Sequence, residues 1–281
     1  MRFGNYDGRA TLIAADNAGY DVAKASHGTF GPEPAAVLDV WDDFTAWAAT
    51  AELADGKVDL DRALLGPPSP APRQIFAIGL NYHDHAAESG VESPTGLPPV
   101  FSKFQTCLTG PDTTVDLPEG GHTDWEVELV AVIGKRAANV DASDAWSFVA
   151  GLTVGQDISE RIAQLQGPLP QFGFAKSRAG FGPTGPWLVT PDEFADRDDL
   201  EIGCTIDGVE VQRARTSDLI YSVPRLIAEL SAGVTLLPGD LVFTGTPAGV
   251  GLGRTPQRWL QPGEHLRSWV EGIGELNQRF V

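Results

Sequence analysis

Cysteine, methionine and positive charge are all scarce in this chain. It has two cysteines, Cys107 and Cys204, and one methionine. The cysteines stand in no metal-binding or redox spacing and read as reduced, semi-buried thiols. Lysine and arginine total 20 against 38 acidic residues, a formal net charge of −18. A phosphate backbone or an anionic bilayer repels such a surface, which argues against nucleic acid and membrane partners. A small basic pocket remains compatible with an acidic protein, above all where a metal ion sits in it. No apolar run approaches the ~20 residues of a bilayer span. The opening MRFGNYDGRA has no apolar core of the kind found in a secretory leader. A cytoplasmic protein is expected. Internal repeats and long low-complexity segments are also missing.

What is present is an ordinary globular composition, 42% hydrophobic and 21% charged over 281 residues. That length suits one large domain, or one plus a small one, and buries roughly three quarters of the unfolded surface. Residues 10–24 alternate around Asp16, Asn17, Ala18 and Gly19, a hairpin pattern. FTAWAATAELADG predicts a helix closed by Gly56. Prolines then crowd LLGPPSPAPRQ, where neither a helix nor a central strand can continue, and a boundary is expected near residue 70. Beyond it, QIFAIGL, PPVFSKF, WEVELVAVIG and SFVAGLTVGQD read as strands. NYHDHAAESG, stopped by Gly90, and ISERIAQLQG read as short helices. EIGCTIDGVEVQ is a hairpin turning at Asp207-Gly208. SVPRLIAELSAG is a helix with Ser222 as N-cap and Gly233 as its end. LLPGDLVFTGTPAGVG is turn, strand and glycine-rich loop, and the tail from Glu264 makes a last pair of strands. Many strands without regular strand–helix alternation predict an α+β, mainly β, fold.

Two features carry chemistry. Glu126 and Glu128 lie two apart in a predicted strand and so share a face. Either they lie on the wet side of an edge strand, or a divalent cation relieves their repulsion. Hard oxygen donors suit Mg²⁺, Mn²⁺ or Ca²⁺. Asp157, ending an apolar strand, is either a third ligand or a helix cap. His85 and Glu88 form an i, i+3 pair if 81–89 is helical. That pair is either surface decoration or an oriented base, because a carboxylate on one imidazole nitrogen fixes the tautomer at the other. Lys103, Arg161, Gln164 and Lys176 are solvated by default or form a positive rim. On one helix, Asp157, Arg161 and Gln164 would line one face. FTGTPAGVG matches neither phosphate-binding glycine pattern.

The segments GLNYHDHAAE (79–88), WEVELVAVIG (125–134), GQDISERIAQ (155–164), FAKS (174–177) and FTGTPAGVG (243–251) occur in one order. Together they resemble the fumarylacetoacetate hydrolase superfamily, particularly its acylpyruvase-type members, over residues 74–281. The resemblance implies a mixed β-sandwich or roll at 71–281 behind a small N-terminal α+β domain at 1–70. It implies a Mg²⁺ or Mn²⁺ site of Glu126, Glu128 and Asp157, with Ca²⁺ also able to bind, and a base dyad of His85 and Glu88, while His83 does not match. Lys176, and with it Lys103, Arg161, Gln164 and Thr246, would bind a small anionic 2-oxo or diketo acid. The implied reaction is hydrolysis of a C–C bond in a 2,4-diketo acid, giving pyruvate, as an enolate held by the metal, and a carboxylic acid. Isomerase, decarboxylase and sugar-acid lyase activities belong to the same chemistry. A homodimer is the implied assembly. A non-catalytic protein with a structural divalent ion is the alternative from another class.

Overall fold

Strict alternation organises the molecule around one strand, Val127–Ile133, whose every residue is buried. Successive side chains in a strand point to opposite faces. Leu129, Ala131 and Ile133 therefore enter one apolar core, and Val130 and Val132 enter another. The computed structural model describes residues 1–14 and 17–281. Val127–Ile133 pairs antiparallel with Val149–Gln156 on one side and with Leu241–Phe243 on the other. The edge-strand reading of the two glutamates is thereby excluded.

These strands are the middle of a 12-stranded mixed sheet. Beyond Val149–Gln156 come Gly182–Val189, then Arg2–Tyr6, Arg9–Ile13, Gly19–Asp21 and Lys57–Val58. Beyond Leu241–Phe243 come Ile75–Ile78, paired parallel, and Val100–Ser102. A five-stranded sheet, Val209–Arg215, Glu201–Ile206, His265–Val270, Gly274–Phe280 and Asp112–Val115, closes over one face. Its Ile202, Leu266 and Leu276 meet Leu129 and Ile133, together with Leu226 and Leu230 of helix Val223–Gly233. The fold is α+β and mainly β, as expected.

On the other face, Val130, Val132, Leu188 and Phe243 pack against Phe3, Val37, Leu38, Trp41 and Phe44. Phe3 meets Trp41 and Phe44 edge-on, with ring centroids 5.4 and 5.5 Å apart. The first 70 residues thus share both a sheet and a core with the rest.

Local differences from the sequence reading have simple causes. The hairpin strands are Arg9–Ile13 and Gly19–Asp21, with Leu12 opposite Tyr20; Asp16 of the expected turn lies outside the described residues. The helix expected to end at Gly56 is Trp41–Ala48. Burial of Trp41 and Phe44 sets its start, and Gly56 instead makes a left-handed turn at φ +80°, where a Cβ would lie 2.9 Å from the Asp21 carbonyl oxygen. A further helix, Pro34–Asp39, begins on a proline, which suits a first turn. Ser222 makes no side-chain cap bond, and Gly233 is the last residue inside its helix. Among the described residues, no helix is long and apolar enough to cross a membrane.

Because Phe44 is fully buried between the leading segment and the sheet, Phe44→Ala should cost ~3–5 kcal/mol. Calorimetry should show one unfolding transition moved down as a whole. Two transitions, the later one unmoved, would mean that the first 70 residues melt on their own.

Candidate active site

Register places the carboxylates. Glu128 stands opposite Gly155 and Val127 opposite Gln156, so the next pair along the ladder is Glu126 with Asp157. The Asp157 N–H donates to the Glu126 carbonyl at 2.9 Å. Opposed residues on antiparallel strands share a face with their side chains in contact, and Glu128 joins them by the i, i+2 rule. One oxygen from each of Glu126, Glu128 and Asp157 lies within 4.8 Å of the others, with all three side chains buried.

Cations surround two of the three. Lys176 Nζ bridges Glu126 Oε2 at 2.6 Å and Asp157 Oδ2 at 2.7 Å. Arg161 donates to Glu126 Oε1 at 2.7 Å. Lys103 donates to Asp157 Oδ1 at 2.6 Å and to the carbonyls of Lys176 and Phe181. Burial favours a protonated Glu126, but Lys176 and Arg161 outweigh it and hold this carboxyl well below the usual range. Burial pushes Glu128 well up, reinforced by the charges of Asp157 and Glu126; the Gly245 N–H, at 2.7 Å from its Oε2, offsets this only in part. With Asp124, four carboxylates face three cations, which leaves one negative charge without a partner. A buried, over-acidic set of oxygen donors suits a hard divalent cation. Each carboxylate oxygen that accepts from a lysine or arginine keeps a second lone pair for an ion.

The histidine–glutamate pair approaches from another element. Helix His83–Glu88 buries His85, and His85 Nδ1 lies 2.7 Å from Glu88 Oε1. Glu88 Oε2 accepts from the Gly249 N–H at 2.9 Å. His83 instead contacts Ser93 at an exposed position. His85, Glu126, Arg161, Gln164, Lys176 and Thr246 all line one cavity of about 230 Å³.

Two expectations are corrected. Asp157 caps no helix and lies on none: the helix is Arg161–Leu165, and the Glu160 carboxylate caps it by accepting from Ile162 and Ala163. Only Arg161 and Gln164 share it, joined by Arg161 NH1 donating to Gln164 Oε1 at 2.8 Å. Lys103, placed on the substrate rim from sequence, is fully buried behind Asp157 and does not line the cavity. Arg161 does line it, as expected, and it also donates to Asp124, Glu126 and Gln164.

Three residues were missed from sequence. Asp124, fully buried, accepts from Arg161 and from the Trp125, Gly251 and Leu252 N–H groups. Asn81 donates to the Tyr221 and Thr244 carbonyls and accepts from the Tyr221 N–H, joining the base helix to the glycine loop. Gln212 donates to Thr246 Oγ1 at 2.8 Å. The signal for Asp124 and Asn81 was a short polar side chain set directly against an apolar strand.

The glycine loop is a set of backbone donors. Gly245, Gly249 and Gly251 each aim an N–H at a carboxylate: Glu128, Glu88 and Asp124. A Cβ at 249 would lie 2.1 Å from the Val211 carbonyl oxygen, and one at 251 would lie 1.9 Å from that of Arg258. No side chain fits there.

A β roll in which His85, Glu126 and Lys176 line one small cavity, backed by Glu88, Glu128, Asp157 and Lys103, suits an enzyme that acts on small organic acids. The chain belongs to the fumarylacetoacetate hydrolase family: the family model "Fumarylacetoacetate (FAA) hydrolase C-terminal" matches residues 74–281. The crystal structure of "a putative HpcE protein from Mycobacterium smegmatis" is 54% identical, with TM-score 0.95, covering 100% of this chain and 99% of that one. The mitochondrial oxaloacetate tautomerase Fahd2a of Rattus norvegicus is 39% identical over 215 residues, 76% of this chain and 68% of that protein. Maleylpyruvate hydrolase from Sphingobium sp. SYK-6, solved with manganese(II) and pyruvate, is 26% identical with TM-score 0.78, covering 100% of this chain and 99% of that one.

Glu128→Gln removes the carboxyl that burial and the charges of Asp157 and Glu126 disfavour in its ionised form. Without metal it should raise the melting temperature by about 2–4 °C for each ~1 kcal/mol relieved. Where Mn²⁺ stabilises the wild type, it should fail to stabilise this variant. Scanning calorimetry in EDTA and in Mn²⁺ checks both. Lys103→Met should cost ~3–5 kcal/mol, because it takes one of two cations from a fully buried Asp157 and leaves the acidic set with a larger excess of negative charge.

Proposed function

We propose that this chain hydrolyses a C–C bond in a 2,4-diketo acid of the acylpyruvate type, giving pyruvate and a carboxylic acid. The observation that carries the reading is that His85, with Glu88 behind it, opens on the same cavity as Glu126 and Lys176. A divalent ion, Mg²⁺ or Mn²⁺, held by Glu126, Glu128 and Asp157 would supply a Lewis acid for the 2-oxo-acid end. The manganese and pyruvate in the maleylpyruvate hydrolase neighbour support that choice of ion and ligand.

The chain's own residues do the rest. Glu88 takes the Nδ1–H of His85, leaving Nε2 as the basic nitrogen. His85 Nε2 removes a proton from water, and the hydroxide adds to the 4-carbonyl carbon. The C3–C4 bond breaks; its electron pair leaves with the pyruvate half, which takes up a proton at C3. Lys176, itself buried, brings fixed positive charge to the end of the cavity where negative charge grows. The Thr246 hydroxyl oxygen accepts from Gln212, so its own proton is free for the substrate carboxylate. Lys103 and Arg161 hold Asp157 and Glu126 in place.

A second reading is favoured by the tautomerase name of the rat relative: proton transfer between carbon and oxygen of a 2-oxo acid, by the same His85, without C–C cleavage. An isomerase acting on a 2-hydroxydienoic acid is its close variant.

With Mn²⁺, the wild type should release pyruvate from acylpyruvates. His85→Ala should lose about 10²–10⁴-fold in kcat while keeping its melting temperature and Mn²⁺ binding. Full turnover in His85→Ala would remove the dyad from the reaction. Accelerated ketonisation of oxaloacetate, with no pyruvate from any acylpyruvate, would replace hydrolysis by the second reading.

A further inference from the structure

We infer that the far end of the substrate, beyond its 2-oxo-acid end, is uncharged and apolar, so that this cavity selects monocarboxylic over dicarboxylic acids. The inference rests on the 2-oxo-acid reading above and adds the chemistry of the distal group. The cavity is at the small end for ligand sites, about 230 Å³. Away from the carboxylates its walls are Leu80, Val91, Phe101, Leu165, Phe172 and Leu252. Phe101 and Phe172 pack with ring centroids 5.3 Å apart and make one continuous apolar face.

The titratable groups lining the cavity, among the described residues, are His85, Glu126, Arg161 and Lys176. No cation among them is left for a second carboxylate. Lys176 serves Glu126 and Asp157. Arg161 directs Nε to Asp124, NH1 to Gln164 and NH2 to Glu126. His85 is paired with Glu88. Val91 and Leu165 leave this wall partly open, so a distal carboxylate would exchange part of its water for hydrocarbon without gaining a counter-charge, which costs more than burying an alkyl group of the same size. The polar groups that remain, the Ser89 and Thr246 hydroxyls and the Gln164 amide, are neutral. Gln164 Oε1 accepts from Arg161, which turns its amide nitrogen away from the guanidinium as an uncharged donor. Such a donor suits a ketone oxygen.

Equilibrium binding tests this without requiring turnover. Isothermal titration calorimetry on the Mn²⁺-loaded full chain compares 2-oxohexanoate, with an alkyl end, and 2-oxoglutarate, with a carboxylate end. The alkyl acid should bind about tenfold tighter or more. Leu165→Arg, at a half-exposed wall position that tolerates the change, should move the ratio about tenfold toward 2-oxoglutarate. Equal or tighter binding of 2-oxoglutarate by the wild type overturns the inference and leaves the proposed reaction standing. A ratio that Leu165→Arg does not move overturns the assignment of this wall to the distal group. Absence of binding by both acids overturns the 2-oxo-acid reading, and the inference with it.

Discussion

Everything at the site depends on one register: Glu126 opposite Asp157 on two interior antiparallel strands. A slip of one residue would turn each carboxylate to the other face of its strand and exchange it for an apolar neighbour. The register is held from both sides. On the strand, Leu129, Ala131 and Ile133 fill one core while Val130 and Val132 fill the other. Across the ladder, Gly155 faces Glu128, where a Cβ would lie 2.5 Å from Val130 and 2.8 Å from the Phe243 ring. Hydrophobic packing along the length of the strand therefore sets acidic geometry at its end.

Burying that much negative charge would be prohibitive alone, and the fold answers it in two ways. Lys103, Lys176 and Arg161 supply full charges, in bonds of 2.6–2.8 Å to carboxylates. The glycine loop adds backbone N–H groups to Glu128, Glu88 and Asp124, and these cannot move away as a long side chain can. Glu128 has the weakest support of the trio, and burial raises it accordingly. The deficit is local, and its shape is that of a missing cation.

The chain was legible where one side chain decides the outcome locally. Apolar runs revealed Val127–Ile133 and Val149–Gln156, and the Asp207-Gly208 turn revealed its hairpin. The pairing of Glu126 with Glu128 followed from period two alone. Illegible were the facts that depend on pairing between distant segments. Nothing in WEVELVAVIG states that both of its edges are covered, so a wet face stayed open until its neighbours were placed. Lys103 reads as any lysine until Asp157 and the Phe181 carbonyl are found around its ammonium. Asp124 sits beside the quoted motif, yet its value lies in Arg161 and Gly251, which arrive from 37 and 127 residues along the chain. Arg161 reads as a cavity residue from sequence, but its acceptors Asp124, Glu126 and Gln164 could not be counted there.

The position of the base follows from the same economy. His85 is on a helix of six residues, too short to hold itself in place. Two ties fix it to the carboxylate floor. Asn81, at the entrance of the helix, bonds the Thr244 and Tyr221 carbonyls. Glu88, at its exit, is bonded by Gly249. Both ties run to the segment after Leu241–Phe243, the strand that also borders Val127–Ile133. The loop thus holds the base helix, and through Gly245 it also holds Glu128, while strand register holds Glu126 and Asp157. The apolar walls at Val91, Leu165 and Phe172 come from other segments and can vary without disturbing this arrangement. That division allows one arrangement of charge to serve different distal groups.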